Sequence, residues 1–127
     1  MAWVDLVMML ALLEFVFFAF VVGRMRGRHG VKAPAMSGHP MVERALRVQG
    51  NTLELLILFV PGLWAAAKYW KPEYMAVAGA VFVVGRAVYA FGYLADPSKR
   101  SIGFGLSILP TLFLVFAALI GAVRALL

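Results

Sequence analysis

Four long apolar runs constrain this chain more than any other feature. They cover about residues 2–23, 45–67, 74–95 and 102–123. A helix crossing a bilayer needs roughly 20 mainly apolar residues at about 1.5 Å of rise each. Flanking residues extend the expected helices to about 2–23, 41–67, 73–95 and 98–125, with a basic loop at 24–40. The 127 residues are 64% hydrophobic and 14% charged, against about 45–50% and about 25% in soluble domains. So small a body cannot hide that much apolar surface in water, so a soluble enzyme is excluded. Disorder is excluded by the same hydrophobicity. The expected fold class is all-α, an integral membrane four-helix bundle forming one domain over 1–127.

The first run carries Asp5 in place of a basic n-region and has no clear A-x-A site after it. It reads as a retained helix, not a cleaved leader. Pro61 and Pro110 fall inside the second and fourth runs, where kinks are expected. Asp96 and Pro97 read as an N-cap followed by a first helical position. Gly79, Gly85 and Gly92 are placed to ease close helix contact.

The formal charge is +6. In a chain of this kind it reads as topology and headgroup attraction, and no nucleic-acid partner is expected. Arg24, Arg26, Arg28, Lys32, Arg44, Lys99 and Arg100 fall on one side if all four helices span. Lys68, Lys71 and Arg124 fall on the other. The bias puts the first and third loops in the cytoplasm and both termini on the non-cytoplasmic side. There is no cysteine. That excludes disulfide scaffolds, thiolate zinc sites and a protein thiol nucleophile, so any thiol chemistry uses a ligand's thiol. His29 and His39 lack a partner at ligand spacing and read as solvated loop histidines, and no metal site is expected.

The second run is unusual. Arg44, Arg47, Asn51 and Glu54 are spaced 3, 4 and 3, which places them on one helical face. Arg86, Tyr89 and Tyr93 share a face of the third helix in the same way. Glu14, Glu54 and Arg86 each lie ten residues from a cytoplasmic-side residue, so all three sit roughly 15 Å in. An intramembrane charge costs at least about 2.5–3.5 kcal/mol on insertion scales, so pairing is expected, with Glu54–Arg86 as the preferred pair. A ladder of this kind suits a ligand carrying both carboxylates and an ammonium group.

Residues 43–54, ERALRVQGNTLE, resemble the second-helix signature of the MAPEG family, the membrane-associated proteins in eicosanoid and glutathione metabolism. The segment Gly85-Arg86-Ala87-Val88-Tyr89-Ala90-Phe91-Gly92-Tyr93-Leu94 resembles its third-helix motif, and Arg100-Ser101 resembles the Arg-Ser pair opening its fourth helix. The resemblance implies a homotrimer with glutathione as co-substrate, bound between subunits near the cytoplasmic side. It implies that Arg47, Asn51, Glu54, Arg86, Tyr89 and Tyr93 bind the tripeptide, with Arg26 supplied by the adjacent subunit. It places Arg100 and Ser101 near the thiol as the catalytic pair. Phe104 stands where several members carry a tyrosine, Tyr89 where some carry histidine and Gly50 where some carry arginine. The implied function is a membrane-bound glutathione transferase or peroxidase acting on lipophilic small molecules among the membrane lipids. A non-catalytic scaffold of the same fold that binds lipid or glutathione is the alternative. A small proton-coupled transporter is a third reading, resting on the shared depth of Glu14, Glu54 and Arg86.

Overall fold

The computed structural model describes all 127 residues. Its order is α1 (Ala2–His29), α2 (Pro40–Tyr69), α3 (Pro72–Ala95), one 3-10 turn (Pro97–Lys99) and α4 (Arg100–Leu126). All four α-helices are long and apolar enough to cross a membrane. The chain is an all-helical, four-helix membrane protein.

The first helix runs six residues beyond its apolar stretch, so residues 24–29 are helical and not part of a loop. Charge alone suggests a loop there, but arginine is a good helix former. Arg26, Arg28 and His29 also occupy the last turn, where cations offset the helix dipole. Gly30 ends the helix with φ 69°, a left-handed conformation that glycine adopts without a Cβ penalty. The remaining connection, 30–39, is short, and Arg26 ties it down by donating from Nη1 to the Ala35 carbonyl. The two histidines are not free in solvent. Their rings stack with centroids 3.6 Å apart. His39 also caps α2, its Nδ1 accepting from the Met41 amide at 3.1 Å.

The central pair, α2 and α3, pack on each other, and each also contacts α1 and α4. The outer helices therefore flank this pair from different sides. Phe59 and Phe82 stack at 3.9 Å in the middle of the core. Phe20, Ile57, Phe91 and Leu109 point outward with about two thirds of their surface exposed, as lipid-facing residues do.

Close helix approach depends on glycine at two positions of the α3–α4 seam. A Cβ on Gly103 would collide with the Tyr89 backbone, and one on Gly85 would lie 2.7 Å from the Leu106 carbonyl oxygen. That carbonyl stands four residues before Pro110, which has no N–H to offer it. Proline thus frees a carbonyl where Gly85 of α3 packs against α4. Both prolines lie inside unbroken helical segments. A Cβ on Gly79 would also crowd its neighbour, at 2.7 Å from Val7 Cγ1, whereas one on Gly92 would stand 3.1 Å from the Lys99 carbonyl oxygen. Gly103→Ala is expected to destabilise the bundle by about 1–3 kcal/mol, since a backbone contact cannot yield as a side chain does. Gly105→Ala, where a Cβ would meet nothing within 4 Å, is the control. Thermal unfolding in detergent measures the difference.

Asp96 caps the 3-10 turn, its Oδ1 accepting from the Ser98 amide at 3.0 Å. That backbone bond, then the Ser98 side chain and the charges of Lys99 and Arg44, hold its carboxyl below the usual carboxylate range. A carboxyl depressed in the folded state stabilises it above the unfolded group's ordinary value, and this contribution is lost as pH falls through the lower folded value. Acidification is therefore expected to loosen 96–101 first. Hydrogen exchange, corrected for the intrinsic rate at each pH, should show a lower protection factor at the Ser98 amide, and Asp96→Ala should give that low protection already at neutral pH.

Candidate functional site

At the end of the bundle holding the 96–101 connection, three helices converge on a cleft of about 460 Å³. That size lies within the usual range for small-molecule sites. From α2 come Arg47 and Asn51, and from α3 Tyr89. The first turns of α4 add Arg100, Ser101, Phe104 and Gly105. No residue of α1 lines it. Two guanidinium groups, a hydroxyl, an amide and a phenol thus face one recess, a donor-rich set suited to carboxylates and a thiolate. Arg100 is the first residue of α4, and no side chain caps that helix. An anion held there also meets the positive end of the helix dipole.

Behind the cleft lies Arg86, the largest fully buried side chain in the protein. Its Nη1 donates to Asn51 Oδ1 at 2.7 Å and to Thr52 Oγ1 at 3.1 Å, and its Nε donates to Ser107 Oγ at 2.9 Å. Its guanidinium carbon stands 4.4 Å from the centre of the Tyr89 ring. Arg86 thus links α2, α3 and α4 and sets the Asn51 amide that faces the cleft. Nη2 is buried without a partner, as is Oε1 of Glu14 on α1.

The expected Glu54–Arg86 pair does not form. Glu54 instead meets Arg47 at 3.3 Å, with both side chains more than half exposed. At about 100° per residue, Glu54 points roughly 140° away from the buried face of α2 centred between Val48 and Thr52, whereas Asn51 lies at its edge. Seven residues return Arg47 and Glu54 to nearly the same direction, and so they pair with each other. An exposed pair of this kind contributes little to stability. Arg44 also has a role that its spacing does not show. It donates to the Leu94 carbonyl at 3.0 Å and to the Ala95 carbonyl at 3.5 Å, satisfying groups left free at the end of α3.

The other expected ligands divide. Tyr93 stacks on Tyr89 at 5.6 Å and supports the wall from outside the cleft lining. Arg26 lies apart, beside Gly30 and Val31 in the loop. Sequence reasoning misses Thr52 and Ser107. Both are buried, and each hydroxyl also donates to the carbonyl four residues back, at 2.8 and 2.7 Å. Each oxygen is thereby aimed at Arg86. A small hydroxyl residue in an apolar helix is the one signal that could have marked them.

A family model described as MAPEG family matches residues 4–120. The chain belongs to the MAPEG family. A relative from Synechocystis, an uncharacterized protein, is 44% identical over 93% of this chain and 86% of its own length. Human microsomal glutathione S-transferase 2 is 37% identical over 72% of this chain. Leukotriene C4 synthase of Cavia porcellus is 34% identical over 74% of it. The aligned part spans 63% of each of these last two relatives, less than two thirds of their length.

Proposed function

We propose that the protein is a membrane glutathione transferase that joins the tripeptide's thiolate to lipophilic electrophiles. The observation that carries this reading is the grouping of Arg100 and Ser101 with Arg47, Asn51 and Tyr89 around one recess. Arg47 and Asn51 would hold carboxylate and amide groups of glutathione, and Glu54, which pairs with Arg47 from outside the cleft lining, its ammonium. Tyr89 bounds the pocket, while Arg86 and Tyr93 act from behind it. Arg100 would stabilise the thiolate by charge and Ser101 by donating a hydrogen bond. In conjugation the sulfur forms a bond to carbon, a leaving group such as halide departs, and the thiol proton passes to water. With a lipid hydroperoxide, two glutathione molecules would give the alcohol, water and glutathione disulfide.

The protein would act as a homotrimer. The side of the cleft that its own α1 leaves open suits the first helix of a neighbouring subunit, whose Arg26 would then approach the tripeptide. The positive-charge bias supports an orientation with the cleft at the cytoplasmic end and both termini on the other side. Titration of the detergent-solubilised protein with glutathione, followed by thiol consumption with a halogenated nitroaromatic, tests the proposal. Saturable binding with turnover is expected. Binding without turnover would favour the scaffold reading, to which Phe104, bringing no hydroxyl to the cleft, lends support. Absence of binding would overturn both.

A further inference from the structure

At the end of the bundle opposite the cleft, two recesses share one residue. Tyr69, Trp70, Gly121, Arg124 and Ala125 enclose a polar recess of about 410 Å³. Trp70 also heads an apolar groove of about 390 Å³ running along α4 past Ile120, Phe116 and Phe113, with Met75 opposite. We infer that this combined recess and groove is a binding site for an anionic phospholipid, with Arg124 on the headgroup phosphate and one acyl chain along α4.

Several features make this a built site. Trp70 is fixed by donation from Nε1 to the Ala117 carbonyl at 2.7 Å. Gly121 lets α4 press on Tyr69, since a Cβ there would collide with the tyrosine Cβ. The Arg124 guanidinium stands 5.4 Å from the Trp70 ring centre, which keeps it over the recess. The chain's one ion pair is Arg47–Glu54, so no side-chain carboxylate pairs with Arg124. Lys68 and Lys71 add positive charge at the same end, over the rings of Trp64 and Tyr74. Glu73 lies on a different face, in the groove beside Trp3 and Leu6.

The groove selects a lipid over free phosphate. From Arg124 to Phe113 is eleven residues, a rise of roughly 16 Å. That is about half of a hydrocarbon core of roughly 30 Å, the depth reached by a chain of one leaflet. A neutral zwitterionic headgroup carries its own cation and would gain less from Arg124.

Native mass spectrometry of the delipidated protein, with phosphatidylglycerol and phosphatidylcholine of matched chains supplied in equal amounts, tests this. Phosphatidylglycerol adducts are expected at about tenfold excess, a difference near 1.4 kcal/mol. Arg124→Gln should remove the preference, with the exposed side chain leaving the fold intact. Arg24→Gln, at the other end, should keep it. Ile120→Ser should weaken both lipids together by disturbing the apolar arm. Equal occupancy by the two lipids in the unaltered protein, or a preference surviving Arg124→Gln, would overturn the site. Because glutathione is absent from this experiment, its outcome is independent of the proposed activity.

Discussion

Arg86→Ala is expected to destabilise the bundle by about 3–5 kcal/mol, the range for emptying a large buried side chain. The same truncation leaves Asn51 Oδ1 buried beside the lost donor, adding about 1–3 kcal/mol of unsatisfied-acceptor cost within that range. Two effects oppose each other here. Arg86 is a buried cation bonded only to neutral groups, Asn51, Thr52 and Ser107, so its own burial is expensive. An apolar side chain of similar length avoids that expense and fills the space. Arg86→Met is therefore expected to recover most of the stability lost in the alanine variant, measured by thermal unfolding in detergent. Glutathione binding should fail in both variants, because neither holds the Asn51 amide toward the cleft. A methionine variant as unstable as alanine would show that the hydrogen bonds themselves hold the fold. A methionine variant binding glutathione normally would show that Asn51 needs no support from behind.

The bundle is legible in the sequence because apolar length is a local property. Runs as long as 2–23 or 102–123 have few alternatives to a spanning helix, and all four form. Much of the site is legible for a related reason. The spacing of Arg47 and Asn51 keeps them together on any α-helix, and Arg100-Ser101 lies where α4 starts, beside them in the cleft. What spacing cannot give is direction. Residues 47, 51 and 54 share an arc of α2, but whether Glu54 faces Arg86 or solvent depends on where α3 packs. The small residues Gly85 and Gly103 set that position. Spacing assigns Arg44 to a ligand ladder because the Leu94 carbonyl it caps, fifty residues away, leaves no mark near it in the chain. A loop at 24–29 fails on composition: arginines that read as solvated charge also make a sound last helical turn.

Arg100→Ala is expected to slow conjugation at neutral pH by roughly ten- to thirtyfold. A free thiol has a pKa near 8.5, and only its ionised form attacks. A guanidinium in contact with the sulfur favours the charged form, by about one to three units for comparable opposite-charge pairs. Losing one to three of those units lowers the thiolate fraction at pH 7 by about eight- to thirtyfold, the ceiling being set by the roughly 3% of thiolate that an unaided thiol keeps there. The defect should therefore shrink as pH rises toward the ordinary thiol value, where glutathione ionises unaided. Ser101→Ala removes one hydroxyl hydrogen bond to the thiolate, about 1.5 kcal/mol at the low end for bonds to charged groups, and should slow the reaction about tenfold. The ultraviolet absorbance of bound thiolate, followed against pH in each variant, separates charge stabilisation from loss of binding. A midpoint moved upward in Arg100→Ala with glutathione affinity retained supports the role given to Arg100. A midpoint that stays in place while the rate falls equally at every pH assigns the thiolate's stabilisation to another group. The positive end of α4, which the alanine variant keeps, would then be the first candidate.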